Sequence, residues 1–132
     1  MTVFVDTSAF YAVLDRNDIN HTRAATVWQD LLSGEPDLLT NNYVLLETSA
    51  LLQSHLGLPA MQIFQQDVVP LLTVDWITDN RHQAGVDAAL TAGRRKLSLV
   101  DCISFQTMRK YSLESAFCFD KHFREQGFNT LP

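Results

Sequence analysis

The stretch Thr2-Val3-Phe4-Val5-Asp6-Thr7-Ser8-Ala9-Phe10 decides the fold. Thr2 to Asp6 alternates β-branched and aromatic residues, the pattern of a strand that packs on a core. Asp6, Thr7 and Ser8 each carry a short side-chain oxygen able to cap a helix, and a helical apolar pattern runs from about Ala9 to Leu14. The opening unit is therefore strand, acid, helix.

The unit recurs along the chain. A polar stretch from Asp15 to Asn20 precedes a helix from His21 to Leu32 that stops at Ser33-Gly34. Asp37 to Thr40 is a short apolar segment with the character of a second strand. Asn41 or Asn42 caps a longer helix carrying Val44, Leu45, Leu51, Leu52 and Leu56 and ended by Gly57. Pro59 starts another, with Met61, Ile63, Phe64 and Val68 inside. Leu72 to Ile77 reads as a third strand before a helix from about Asn80 to Ala92. Ser98 to Tyr111 reads as a helix whose Ser98 and Asp101 have capping-box spacing, with Asp where Glu or Gln is usual. Ala116 to Phe119 is a fourth strand, and a last short segment surrounds Phe128. Strands alternating with helices predict an α/β fold with a parallel sheet. With no internal repeat, linker or low-complexity segment, residues 1–132 read as a single domain.

Composition agrees with a packed core. Of the 132 residues 46% are hydrophobic, and Gly and Pro number only 5 and 4, which excludes disorder and fibrous repeats. Fifteen acids against ten Lys plus Arg give a net charge of -5, unfavourable for gripping nucleic acid over a broad basic face. The charge is uneven, however. Residues 1–93 hold eleven acids and three bases, whereas residues 94–132 hold four acids and seven bases, so phosphate contacts are expected in the later part. Cys102 and Cys118 lie far apart among apolar neighbours and read as buried reduced thiols rather than a zinc site. The first residues lack the basic segment of a signal peptide, and no apolar run approaches the roughly 18 residues of a membrane span, so a cytoplasmic location is expected.

Four carboxylates stand out. Ligand sites in open parallel sheets lie beyond the carboxyl ends of the strands, where Asp6 and Asp120 fall. Both also suit plain structural uses, Asp6 as a helix cap and Asp120 as a turn residue. Glu47 shares helical spacing with Tyr43, Val44 and Leu51, which puts it on the apolar stripe, a costly place for an unpaired acid. Asp101 repeats the pattern with Leu97, Phe105 and Met108, alongside its capping role. If the four converge, their mutual repulsion calls for a cation, and no basic residue lies around Asp6, Glu47 or Asp101. A hard divalent ion such as Mg²⁺ or Mn²⁺ takes oxygen ligands and serves phosphodiester hydrolysis. Thr7 and Ser8 are placed to orient ligands or waters behind the acids, or simply to cap.

The segments Val3-Phe4-Val5-Asp6-Thr7-Ser8, Asn42-Tyr43-Val44-Leu45-Leu46-Glu47-Thr48, Ser98-Leu99-Val100-Asp101-Cys102-Ile103-Ser104-Phe105 and Phe119-Asp120-Lys121-His122-Phe123 together resemble the four acidic motifs of PIN-domain ribonucleases. They look most like those of VapC-type toxins from toxin–antitoxin pairs, in the family's order and over nearly the whole chain. The resemblance implies a three-layer sandwich with a central parallel sheet of four or five strands flanked by helices, and cleavage of RNA by a metal-dependent endoribonuclease. It implies Asp6, Glu47, Asp101 and Asp120 as metal-binding and catalytic acids, Asp120 being the position at which the family varies, and Ser8 as the hydroxyl beside the first acid. It further implies a homodimer and a small antitoxin protein as partner. Arg94, Arg95 and Lys96, just before the helix of Asp101, are candidate contacts for the RNA backbone, and His122 reads as a surface or packing histidine. Trp28 and Trp76 read as core or dimer contacts. Two alternatives stay open: a PIN-domain nuclease outside toxin–antitoxin systems, and a PIN-like module that binds RNA or protein without cutting. A phosphatase of the haloacid-dehalogenase type is disfavoured, because it wants a second Asp where Ser8 stands.

Overall fold

A computed structural model describes residues 1–132. Five parallel strands, β1 (Thr2–Val5), β2 (Asp37–Asn41), β3 (Thr73–Asp75), β4 (Ser115–Phe117) and β5 (Asn129–Leu131), form one sheet in the order β3-β2-β1-β4-β5. The helices are α1 (Thr7–Leu14), α2 (His21–Ser33), α3 (Asn42–Leu56), α4 (Leu58–Ile63), α5 (Asp79–Ala92), α6 (Leu99–Lys110) and α7 (His122–Glu125). Between α4 and β3 the chain passes through a wide turn at Phe64–Val68 and a tight one at Val69–Leu71. No helix is long and apolar enough to cross a membrane.

Strand order agrees with the sequence character of β1. Val3, Phe4 and Val5 are all fully buried, which is what a strand covered on both faces requires, and β1 accordingly takes the centre. Around it Phe10, Phe64, Phe117, Phe123 and Ile103 are also sealed from solvent. The rings of Phe10 and Phe64, and of Phe105 and Phe123, meet edge to face with centroids 5.1 Å apart. Helices α5 and α6 approach closely because position 85 is glycine: a Cβ there would meet Ile103 Cδ1 at 2.2 Å.

Several boundaries shift by a residue or two, each for a visible reason. The α1 helix begins at Thr7 rather than Ala9, since Asp6 takes the capping position and accepts from the Ser8 N–H. The third strand ends at Asp75, not Ile77: the Ile77 N–H turns to the Asn42 side chain, and Trp76 is left largely exposed. Trp28, in contrast, is in the core. The fourth strand stops at Phe117, because the Phe119 N–H is claimed by the Ser8 hydroxyl. The last short segment, expected around Phe128, forms the edge strand β5 just after that residue. Gly57 ends α3 with φ of 93°, a value that favours glycine. Both cysteines are buried and free.

A buried polar network ties the sheet to α3, α5 and α6. Asn41 caps α3 through Oδ1, 2.9 Å from the Val44 nitrogen, and its amide donates to the Ser104 and Thr107 hydroxyls of α6. The Thr107 hydroxyl donates to Asp75 at 2.9 Å, and Arg81 grips both Asp75 oxygens at 2.7 Å. Burial works to raise the Asp75 carboxyl, but the hydrogen bonds from Arg81 and Thr107 and the charges of Arg81 and Lys110 outweigh it and hold it below its ordinary value. Lysine cannot reproduce the two-pronged grip. Arg81→Lys should therefore cost about 2 kcal/mol, read as a lower urea midpoint at an unchanged slope; an unchanged midpoint would show the fork to be dispensable.

Candidate active site

The strand order reverses direction at the centre of the sheet. From β1 the chain steps to β2 and then β3 on one side, then crosses to β4 and β5 on the other. A crevice opens at the carboxyl ends of strands flanking such a switch point, here β1 and β4. Asp6 comes directly after β1, and Asp120 lies three residues past the end of β4.

Ser8 stitches the two strand ends together. Its hydroxyl donates to Asp6 Oδ2 at 2.6 Å, its N–H donates to the same oxygen at 3.1 Å, and the hydroxyl accepts from the Phe119 N–H at 2.9 Å. The Asp6 N–H in turn donates to the Phe117 carbonyl. One carboxylate oxygen is thereby fixed by cap and hydroxyl. Thr7 points elsewhere: its hydroxyl donates to the Val44 carbonyl at 3.5 Å and accepts from Thr48 at 3.1 Å, so it holds α3, the helix that carries Glu47.

Glu47 borders the buried face of α3 rather than occupying it. That face is Val44, Thr48 and Leu52, spaced four apart, while Leu46 is 72% exposed and Glu47 is half-buried between the two environments. Placement on the apolar stripe, which the three-and-four spacing suggests, overstates its burial. Asp101 is buried, and the capping box is fully formed: Asp101 Oδ2 accepts from the Ser98 N–H at 3.1 Å while its own N–H donates to the Ser98 hydroxyl at 3.0 Å. Capping and a place at the site coexist.

Electrostatics connects the acids. Burial pushes the Asp6 carboxyl up to about 7 against the pull of the Ser8 hydrogen bonds, and the charges of Asp101 and Glu47 push in the same direction. The Asp101 carboxyl is likewise raised by burial, with the Asp120 charge adding to it. Asp101, Asp120 and His122 bring one ligand-type atom each within 4.8 Å of one another. His122 is nevertheless poorly placed to coordinate. Its Nδ1 lies 2.9 Å from Glu125 Oε1 and its Nε2 lies 3.2 Å from the Lys96 carbonyl, so both nitrogens already face acceptors. Its Nε2 stands 3.9 Å from Asp120 Oδ1, beyond a hydrogen bond. The ring braces α7 against the loop of residues 94–98. Of the two readings that the sequence supports for His122, surface or packing, the structure bears out packing: the residue is buried. Its contact with Lys96, 26 residues away, is too distant in the chain for spacing to report.

The donor set suits a hard cation. Asp6 and Asp101 are pushed toward their neutral forms by burial and by neighbouring carboxylates, Asp101 and Glu47 for the first and Asp120 for the second, and carboxylate oxygen is the ligand type that Mg²⁺ and Mn²⁺ prefer. Of the basic residues expected at the RNA, Arg94 is 3.3 Å from Glu125 in an exposed pair, whereas Arg95 and Lys96 are exposed with no acidic partner.

Comparison with known proteins fits this geometry. The family model described as PIN domain matches residues 3–129. A curated relative, the 23S rRNA-specific endonuclease VapC20 of Mycobacterium tuberculosis, is 31% identical over 127 residues, covering 96% of this chain and 95% of the relative. The crystal structure of the M. tuberculosis VapC20 toxin, described as cleaving the sarcin-ricin loop, superposes with a TM-score of 0.85 at 30% identity over 96% of both chains. FitAcB from Neisseria gonorrhoeae shares the fold at a TM-score of 0.69 and 15% identity, over 99% of this chain and 97% of that one. The chain belongs to the PIN domain family, and it is similar over nearly its whole length to a VapC-type toxin.

Proposed function

We propose that the chain is a metal-dependent endoribonuclease, acting as the toxin of a toxin–antitoxin pair and carried by one domain. The observation that carries this reading is the gathering of mutually repelling carboxylates at the switch point of the sheet in a PIN-domain chain whose relative cuts 23S rRNA. Asp6, Glu47, Asp101 and Asp120 would hold the ion, Mg²⁺ or Mn²⁺. When bound, it supplies Lewis acidity and charge neutralisation for phosphodiester hydrolysis. Ser8 orients Asp6 and fixes its distance from the end of β4. Ser98 does the same for Asp101 at the start of α6. Thr7 sets α3 so that Glu47 faces the same crevice. No side chain need form a covalent intermediate.

A structured ribosomal RNA fragment is the substrate class supported by the relative. Leu46, one residue before Glu47, is 72% exposed and Trp76, just past β3, is 68% exposed; large apolar side chains left in solvent support protein partners, a second copy and a small antitoxin. The purified chain's mass in light scattering reads the first of these. For the activity itself, wild-type protein should cleave a structured ribosomal RNA fragment with Mg²⁺ or Mn²⁺, lose the activity in excess chelator, and regain it when the ion is returned. Hydrolysis that persists in chelator would contradict the reading.

A further inference from the structure

A second, basic cavity adjoins the acids. Its volume is about 180 Å³, and it is lined by Arg23, Lys121 and Arg124 together with Phe119, Asp120 and Thr130. Three cations converge on it from α2 and the start of α7, and none of the three has a carboxylate within ion-pair distance. Three cations against the single acidic side chain of the lining, Asp120, leave an excess of positive charge with no ion pair formed, so the arrangement favours an anionic occupant.

The guanidinium groups are also held in place rather than loose. Arg23 lies over the Phe119 ring, 5.4 Å from its centroid, and donates to Asn20 Oδ1 at 3.0 Å. Arg124 donates to the Thr130 hydroxyl at 2.8 Å, across to β5. Such anchoring reduces the ordering cost of binding. The short α7 helix divides its charges by face. His122 and Glu125, three apart, turn to residues 94–96, whereas Lys121 and Arg124, also three apart, turn to this cavity.

Position relates the cavity to the carboxylates. Asp120 lines it and also stands within 4.8 Å of Asp101 and His122. Cys118, another lining residue, is buried with its thiol pushed up to about 12, and it feels the charges of Asp6, Asp120 and Arg124 alike. The basic cavity and the acidic crevice are therefore neighbours that share the Asp120 wall.

We propose that Arg23, Lys121 and Arg124 form a subsite for a backbone phosphate of the RNA, next to the one cleaved, so that the strand crosses Asp120 from basic cavity to acidic crevice. The inference rests on the ribonuclease reading and adds to it the path of the substrate. Phosphate contacts of this kind position a strand without reading its bases, and Arg forks suit phosphate oxygens. The sequence points to Arg94, Arg95 and Lys96 instead; of these, Arg94 has an acid partner in Glu125, which the cavity residues lack.

The test compares binding of a fluorescently labelled RNA hairpin across a salt series, in an Asp6→Asn background that keeps the strand intact. Adding Arg23→Gln and Arg124→Gln should weaken affinity by about tenfold at moderate salt and make the logarithmic salt dependence shallower by about one to two. Adding Lys121→Glu should weaken it further, and thermal melting of each variant checks that the fold is kept. Affinity and salt slope equal to those of the background overturn the subsite, as does a loss confined to Arg94, Arg95 and Lys96 variants. Wild-type protein that cuts RNA while these variants bind normally overturns the subsite alone; a wild type that neither binds nor cuts overturns the ribonuclease reading with it.

Discussion

Asp6→Asn should lower RNA hydrolysis by at least about a thousandfold while leaving the protein folded. Asparagine keeps the size of the side chain and an oxygen that can still accept from the Ser8 N–H and hydroxyl, so the cap on α1 survives. What disappears is the charge. Electrostatic stabilisation by a divalent ion is worth several kcal/mol, and each 1.4 kcal/mol is about a factor of ten in rate. Of the four acids Asp6 is the most deeply buried, beside Glu47, Asp101 and the β4 end, so its loss should weaken the ion more than loss of the half-buried Glu47. Initial rates on one RNA, with melting curves as the control for folding, check this. Activity within a few-fold of wild type would remove Asp6 from the machinery.

Metal-free protein should lose stability as pH rises from about 4 to 7, the reverse of common acid denaturation. Asp6 has an ordinary value of 3.8 and is pushed to about 7 in the folded protein, chiefly by burial. Between those values the native state holds a proton that the unfolded chain has released, so stability falls with increasing pH and levels off above 7. At about 1.4 kcal/mol per unit the Asp6 contribution is on the order of 4 kcal/mol, and the raised Asp101 carboxyl adds in the same sense. Asp75 acts oppositely and lower down: its depressed value stabilises the fold above the ordinary carboxylate range and is lost only in stronger acid. Urea unfolding in chelator at a series of pH values reads the trend, and Asp6→Asn should flatten most of it. Added Mn²⁺ should do the same, because an ion binds the ionised acids. A midpoint that climbs steadily from pH 4 to 7 in chelator would mean that Asp6 is ionised at little cost.

Much of this is legible from residue types near one another in sequence. The cap at Asp6, the end of α3 at Gly57 and the Ser98–Asp101 box all depend on side chains bonding backbone within three or four residues, or on a glycine, which is what spacing can report. The switch-point placement of Asp6 and Asp120 is legible too, because the strand and helix alternation implies a parallel sheet. Glu47 reads from sequence as more buried than it is: at a spacing of three or four, Tyr43 and Leu51 pass for stripe residues, and only packing against Thr7 decides that the buried face runs through Thr48. Asp75 is an acid that the sequence does not single out. It ends a strand at the carboxyl edge just as Asp6 and Asp120 adjoin theirs, yet an acid inside Leu-Leu-Thr-Val-Asp-Trp-Ile gives no hint that Arg81 and Thr107 claim it for structure. The cavity of Arg23, Lys121 and Arg124 is hidden for a different reason. Arg23 is about a hundred residues from the other two, and the charge count of residues 1–93 dilutes it among eleven acids.

On the proposed reading, the carboxylates at the ends of β1 and β4 and on α3 and α6 form one cation site that serves RNA cleavage. Calorimetric titration of Mn²⁺ into the chelator-treated protein tests it most directly. Wild-type protein should show saturable binding at neutral pH, weakened at least about tenfold in Glu47→Gln and lost in Asp6→Asn. Heats that never saturate in the wild type, or saturate equally in all three proteins, would contradict the account.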